Sequence, residues 1–232
     1  MRTETLGDPE RVAARAAELV AQSARAALAA RGRFHFAVSG GRTPWLMLRT
    51  LCREPLPWSR IHLFQVDERV APAGDPERNW TQIEECLLHR VSLAPDAIHP
   101  MPVADADLDA AAARYARELR AVAGSPPVLD LVHLGLGEDG HTASLVPGDP
   151  VLDVQDADVA TAGPYRGYRR MTFTFPVLDR ARCILWLVTG ASKGAMLPRL
   201  LAGDREIPAG RVRQDAAWLL ADEAAAARTH AS

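Results

Sequence analysis

The sequence predicts an α/β fold, a mainly parallel sheet flanked by helices. Two observations predict it. Four short apolar runs of strand length, Phe34–Val38, Ile61–Val66, Val128–Leu134 and Cys183–Val188, are each followed by a small-residue turn. Helical stretches lie between several of them, and parallel strands need such crossovers.

Taken in order, residues Pro9 to Ala30 read as a helix. Val12, Ala16, Leu19, Val20 and Leu28 recur at roughly helical spacing among many alanines. Asp8 and Pro9 supply its N-cap and first helical residue. Phe34–Val38 and Ile61–Val66 are the first two strands, and Trp80–Arg90 and Leu108–Val122 read as helices. Val128–Leu134 and Cys183–Val188 are the third and fourth strands. Met171–Phe175 and Ala216–Leu220 read as further strands, and the alanine run Asp222–Arg228 as a terminal helix. Pro126–Pro127 and Gly163–Gly167 read as loops, the latter surrounded by Arg166, Arg169 and Arg170. No tandem repeat or low-complexity linker divides the chain, so residues 1–232 read as a single domain.

The composition, 48% hydrophobic and 24% charged, is that of a globular protein and excludes a disordered chain. A formal net charge of -2 gives no general affinity for nucleic acid or anionic lipid. An anionic substrate therefore needs a local basic site. Cys52, Cys86 and Cys183 are odd in number, far apart and form no CxxC pair, so neither a disulfide framework nor a zinc ribbon is expected. Reduced thiols and a cytoplasmic location are the expectation. The N-terminus, with Glu4, Asp8 and Glu10, does not read as a signal peptide, and the apolar stretch Ile184–Val188 is too short to cross a bilayer.

Ligands of an open parallel sheet bind beyond the carboxyl ends of its strands. Four polar motifs fall there: Ser39-Gly40-Gly41-Arg42-Thr43-Pro44, Asp67-Glu68-Arg69, Gly135 to Thr142, and Thr189-Gly190-Ala191-Ser192-Lys193. Together they predict one composite pocket. The first has the chemistry of a phosphate cradle. Its glycines let backbone N–H groups approach an anion, Pro44 suits a helix start whose N-terminus favours negative charge, and Ser39 and Thr43 add hydroxyls. It is not a nucleophile elbow, because Ala37 stands where G-x-S-x-G needs its first glycine. Lys193, the chain's single lysine, suits the same anion as a point charge. Asp67 directly follows its strand and is the more pocket-facing of the two carboxylates. Arg69 can polarise a carbonyl or hold a carboxylate or phosphate. The bland alternative for this motif is a surface ion pair.

Gly135-x-Gly137-x-x-Gly140 formally matches a dinucleotide fingerprint. Pro147-Gly148 limits any helix starting near Gly140 to about two turns, and its face is polar, which argues against nicotinamide binding. His141 in this loop can exchange protons near neutrality, with Asp139 or Glu138 placed to fix its tautomer. His35, His62 and His133 lie in strands, whereas His89, His99 and His230 read as surface positions. No ligand spacing such as HxxxH is present, so no built-in metal is expected.

Ser39–Pro44, Asp67–Val70, Gly135–Ser144 with Pro147-Gly148, Arg170-Met171-Thr172 and Gly190–Ala195 occur in the order seen in 6-phosphogluconolactonases, and the chain resembles that family from its first helix to Trp218-Leu219-Leu220. The wider superfamily includes glucosamine-6-phosphate deaminases. The resemblance implies a NagB/RpiA-like, Rossmann-type three-layer fold and hydrolysis of 6-phospho-D-glucono-1,5-lactone to 6-phosphogluconate in the oxidative pentose phosphate pathway, without a cofactor. It implies a phosphate site at Ser39, Gly40, Gly41, Arg42 and Thr43 with Arg170 and Lys193. It also implies His141 as catalytic residue, set among Asp139, Arg69 and Asp67. In the deaminases a glutamate that assists the histidine falls where Val146 stands, and valine cannot exchange a proton. The family's Pro-Lys-Pro-Pro loop is here Pro164 to Arg169, so Arg166 or Arg169 replaces a lysine. The expected partner is a small sugar-phosphate lactone, not nucleic acid or membrane, and the expected assembly is a monomer or small homo-oligomer. A deaminase and a non-catalytic sugar-phosphate sensor are the rival readings.

Overall fold

The computed structural model describes residues 1–227. In chain order its elements are β1 (Arg2–Leu6), α1 (Pro9–Arg31), β2 (Phe34–Val38), α2 (Arg42–Leu51), β3 (Ile61–Gln65), β4 (Asp67–Arg69), α3 (Asn79–Ile83), β5 (Ile98–His99), α4 (Leu108–Ala123), β6 (Leu131–Gly135), β7 (Val159–Tyr165), β8 (Tyr168–Phe173), α5 (Phe175–Asp179), β9 (Ile184–Val188), α6 (Leu197–Leu201), α7 (Pro208–Arg211), β10 (Ala217–Asp222) and α8 (Glu223–Ala226). Seven strands form one sheet in the order β1-β10-β9-β6-β2-β3-β5, and every pairing in it is parallel. A second, antiparallel sheet has the order β4-β8-β7.

The central strands are apolar along their whole length because both faces are covered. Phe34, Phe36 and Val38 of β2 pack with α1 and α2 in one core cluster. Ala37 turns to the other face and joins a second cluster built from α4, the inner residues of β6 and β9, and Met171 and Phe173 of the small sheet. Helix α1 begins as its sequence dictates, with the Asp8 carboxylate accepting the Arg11 N–H at 2.7 Å and proline in its first turn.

Several expectations are corrected. The Gly163–Gly167 stretch is not a loop: Tyr165 pairs with Tyr168 across a two-residue turn, Arg166-Gly167, that joins β7 to β8. Both turn residues have positive φ, 51° and 84°, the geometry that matches hairpin twist. The strand expected at Met171–Phe175 is β8, and Phe175 already begins α5. The helix expected over Trp80–Arg90 is α3 continued by a π-turn, Glu84–Leu88. His99 is buried, stacked on Phe64 with ring centroids 4.2 Å apart, because β5 places it inside the sheet edge rather than on the surface. No helix follows Gly140; a bridge between Thr142 and Leu145 closes the loop instead. His230 and the end of the expected terminal helix lie outside the described residues.

Candidate active site

Strands β9, β6, β2 and β3 are neighbours, and all four motifs leave their carboxyl ends on one edge. They enclose a cavity of about 280 Å³. Ser39, Gly40, Gly41, Arg42, Thr43, Asp67, Arg69, His141, Arg170 and Lys193 all line it. Asp139 stands behind His141 and holds its ring.

The imidazole is fixed by its own loop. His141 Nδ1 lies 2.5 Å from Asp139 Oδ1, which also accepts the His141 backbone N–H at 3.1 Å. Tyr165 donates its hydroxyl to Asp139 Oδ2 at 3.1 Å. Burial raises the Asp139 carboxyl, but the His141 backbone N–H, the imidazole and the Tyr165 hydroxyl outweigh it and leave Asp139 below its ordinary range. An ionised Asp139 has no proton to give, so Nδ1 carries the hydrogen, and in the neutral imidazole the lone pair is then on Nε2. Gly137 makes this packing possible. A Cβ there would stand 2.0 Å from His141 Nδ1 and 2.6 Å from Asp139 Oδ1.

Asp67 links the two halves of the site. Its Oδ1 accepts the Ser39 hydroxyl and its Oδ2 the Ser144 hydroxyl, each at 2.8 Å. The proton of Ser39 is therefore committed to Asp67, and the Ser39 backbone N–H donates to His133 Nδ1 at 3.3 Å. Ser39 thus shapes the cradle, and the free donors for an anion are the first N–H groups of α2, which have no partner within the helix. Thr43 and Thr189 share a hydrogen bond of 2.6 Å, joining the cradle to the loop that carries Lys193. Burial lowers the Lys193 ammonium from its ordinary value, and Glu138, 4.0 Å away, partly opposes this.

The period of two along a strand sorts the Asp67-Glu68-Arg69 motif. Asp67 and Arg69 turn to the cavity, opposite Thr172 and Arg170 of β8. Glu68 turns away, is fully buried and accepts the N–H groups of Asn79 and Trp80 at 2.8 Å each, capping α3. Arg69 is half-committed: its Nη1 donates to the Glu77 carbonyl and carboxylate at 2.6 and 2.9 Å. Arg69 and Arg170 face each other across the ladder, a like-charge pairing that costs stability unless an anion lies between. The Nε of each is buried without a partner. Burial, chiefly, lowers the Arg170 guanidinium from its ordinary value, with Asp67 opposing and Arg69 adding to the shift. Arg166, at the hairpin turn, lines the cavity, whereas Arg169 is exposed on the outer side of β8.

Three further residues complete the arrangement without any mark in the sequence. Asn79 donates to the Asp67 carbonyl at 3.0 Å and fills the space beside Gly40, where a Cβ would meet its Oδ1 at 1.9 Å. Asp222 accepts the Gly190 N–H with both oxygens at 3.0 Å and pins the Lys193 loop. Tyr165 reaches Asp139 from the small sheet. Glycine is the one available signal: Gly40 marks a close approach without naming the partner, and Gly190 marks a backbone φ of 92°. Among the described residues no group of three or more His, Cys, Asp or Glu is placed to hold a metal. Nor is any helix long and apolar enough to cross a membrane.

The model of the family described as glucosamine-6-phosphate isomerases/6-phosphogluconolactonase matches residues 7–220. A 6-phosphogluconolactonase of Synechocystis sp. is 40% identical over 207 residues, covering 85% of this chain and 86% of that one. One of Mycobacterium tuberculosis is 37% identical over 238 residues, 96% of each. The crystal structure of a 6-phosphogluconolactonase from Thermotoga maritima superposes with a TM-score of 0.85 at 27% identity, covering 95% of this chain and 98% of that one.

Proposed function

The chain belongs to the glucosamine-6-phosphate isomerase/6-phosphogluconolactonase family, and we propose that His141 is the general base with which it hydrolyses 6-phospho-D-glucono-1,5-lactone. The single observation that carries this reading is the imidazole held by Asp139 at 2.5 Å. That bond leaves Nε2 toward a cavity walled by backbone donors and cations. The N-terminus of α2, Lys193 and Arg170 hold the 6-phosphate, with Arg166 in place of the family's loop lysine. The lactone carbonyl then lies at His141. Neutral His141 takes a proton from water as the water oxygen bonds to C1. Arg69 or backbone N–H groups stabilise the oxyanion. The imidazolium returns its proton to the ring oxygen as the C1–O bond breaks, giving 6-phosphogluconate. Asp139 orients the base and stabilises its charged form. Asp67 positions Ser39 and Ser144.

Half-buried Val146 occupies the place where the deaminases carry a proton-exchanging glutamate, which favours lactone hydrolysis over isomerisation and deamination of an amino sugar. The same reading takes residues 1–232 as one domain, working in the cytoplasm of the cell as a monomer or small homo-oligomer, in the oxidative pentose phosphate pathway. Unpaired Cys52, Cys86 and Cys183 accord with that compartment. The test is a coupled assay on freshly made lactone, with spontaneous hydrolysis subtracted. His141→Ala lowers kcat about a hundred- to ten-thousandfold and leaves KM near its starting value. Lys193→Ala chiefly raises KM. Wild-type turnover in His141→Ala, or binding of the phosphosugar with no turnover by the intact protein, overturns the proposal.

A further inference from the structure

Beyond the catalytic pair, we propose that Tyr165 is a positioning residue that couples the cationic wall of the cavity to the orientation of the His141 base. The inference rests on the reading of His141 given above. It starts from one side chain with two sets of contacts. The Tyr165 hydroxyl donates to Asp139 Oδ2 at 3.1 Å, on the oxygen opposite the one that holds His141. Its ring meets the His141 ring edge-on, with centroids 5.1 Å apart and planes at 64°. The guanidinium carbons of Arg166 and Arg170 lie over the same ring, 5.4 and 5.3 Å from its centre. Arg170 Nη2 also donates to the Tyr165 carbonyl at 3.3 Å. Both arginines line the cavity.

A carboxylate bonded through one oxygen can still turn about its side-chain axis. A second bond to its other oxygen fixes the carboxylate plane, and with it the plane of the imidazole it holds. Tyr165 supplies that bond from a different sheet, through a ring on which the two cavity arginines rest. Cations over a ring face are attracted by its quadrupole. The ring position therefore responds to whatever anion the arginines hold, and Asp139 with His141 follows. Burial first, and the Asp139 charge second, hold the phenol above its ordinary value, so it remains a donor. The other charges around the pair are Glu138 on the same loop and Lys193 beyond β9.

Tyr165→Phe keeps the ring and both guanidinium contacts and removes only the hydroxyl. We expect kcat to fall about three- to tenfold, the weight of one hydrogen bond, with KM unchanged. The low-pH limb of the kcat profile moves to higher pH, because Asp139, released from the hydroxyl, keeps more of its charge for the protonated imidazole. Tyr165→Ala adds a rise in KM, since Arg166 and Arg170 lose their seat. A merely structural tyrosine lowers the melting temperature and turnover without moving that limb, and this result overturns the proposal. So does a Tyr165→Phe enzyme with wild-type kcat and pH profile. His141→Ala is assayed alongside. If it is inactive while Tyr165→Phe behaves as wild type, only the coupling fails. If His141→Ala turns over normally, the base reading fails and takes this inference with it.

Discussion

At the scale of single residues, the site is set by where side chains are absent as much as by where they are present. Gly137 is the clearest case, because its missing Cβ is the space into which the His141 ring and the Asp139 carboxylate settle. Gly137→Ala is expected to displace both groups and lower kcat about a hundredfold or more while the melting temperature and KM stay near wild type. Steady-state kinetics beside a thermal melt checks this, and a collapse of the melt with unimpaired turnover contradicts it. The candidate site residues were legible in the sequence, since His141 directly follows Gly140 in a polar loop with Glu138 and Asp139 close by. Their partners were not. Tyr165 lies 26 residues from Asp139, Asn79 12 residues from Asp67, and Asp222 32 residues from Gly190. Only the fold brings such pairs together, and no local pattern encodes the distance.

At the scale of elements, the strands covered on both faces were the legible ones. Phe34–Val38 appears in the structure with the bounds its apolar run predicts, and Ile61–Val66 ends one residue earlier as β3. The strands that escaped notice are those with a wet face or edge. Strand β1 carries Arg2 and Glu4 at the rim of the sheet, as edge strands commonly do, and so read as a polar terminus. The β7–β8 hairpin hid because its turn is Arg166-Gly167 rather than the Asn-Gly or Asp-Gly that advertises such turns. Gly167 has φ 84°, where a β-branched side chain is strained by about 1–2 kcal/mol. Gly167→Val is therefore expected to lower the melting temperature and, by shifting Arg166 and Tyr165, to raise KM. An unchanged KM in a well-folded variant counts against the hairpin as a wall of the site.

At the scale of the whole molecule, two core clusters on opposite faces of one sheet leave its carboxyl edge free for chemistry and bury imidazoles beneath it. His133 sits fully buried under the cradle, and burial pushes it down to about 3. In the unfolded chain a histidine takes its proton near pH 6.5, whereas the folded protein refuses it until far lower pH. The unfolded state thus binds more protons across that window, and stability rises with pH there. His133 imposes no penalty above about pH 6.5 and about 1.4 kcal/mol for each pH unit below it. His35, pushed down to about 4 chiefly by burial, acts in the same direction. Urea midpoints measured between pH 7.5 and 5 should fall on the acid side and flatten in His133→Gln; an invariant midpoint refutes this account. Lastly, the carboxylate of Asp67 clasps a serine from each of two loops. On the proposed reading, that carboxylate is the one hinge pin common to both loops, so a replacement at Asp67 is expected to shift affinity and turnover together, whereas changes at Lys193 or His141 move one of them alone.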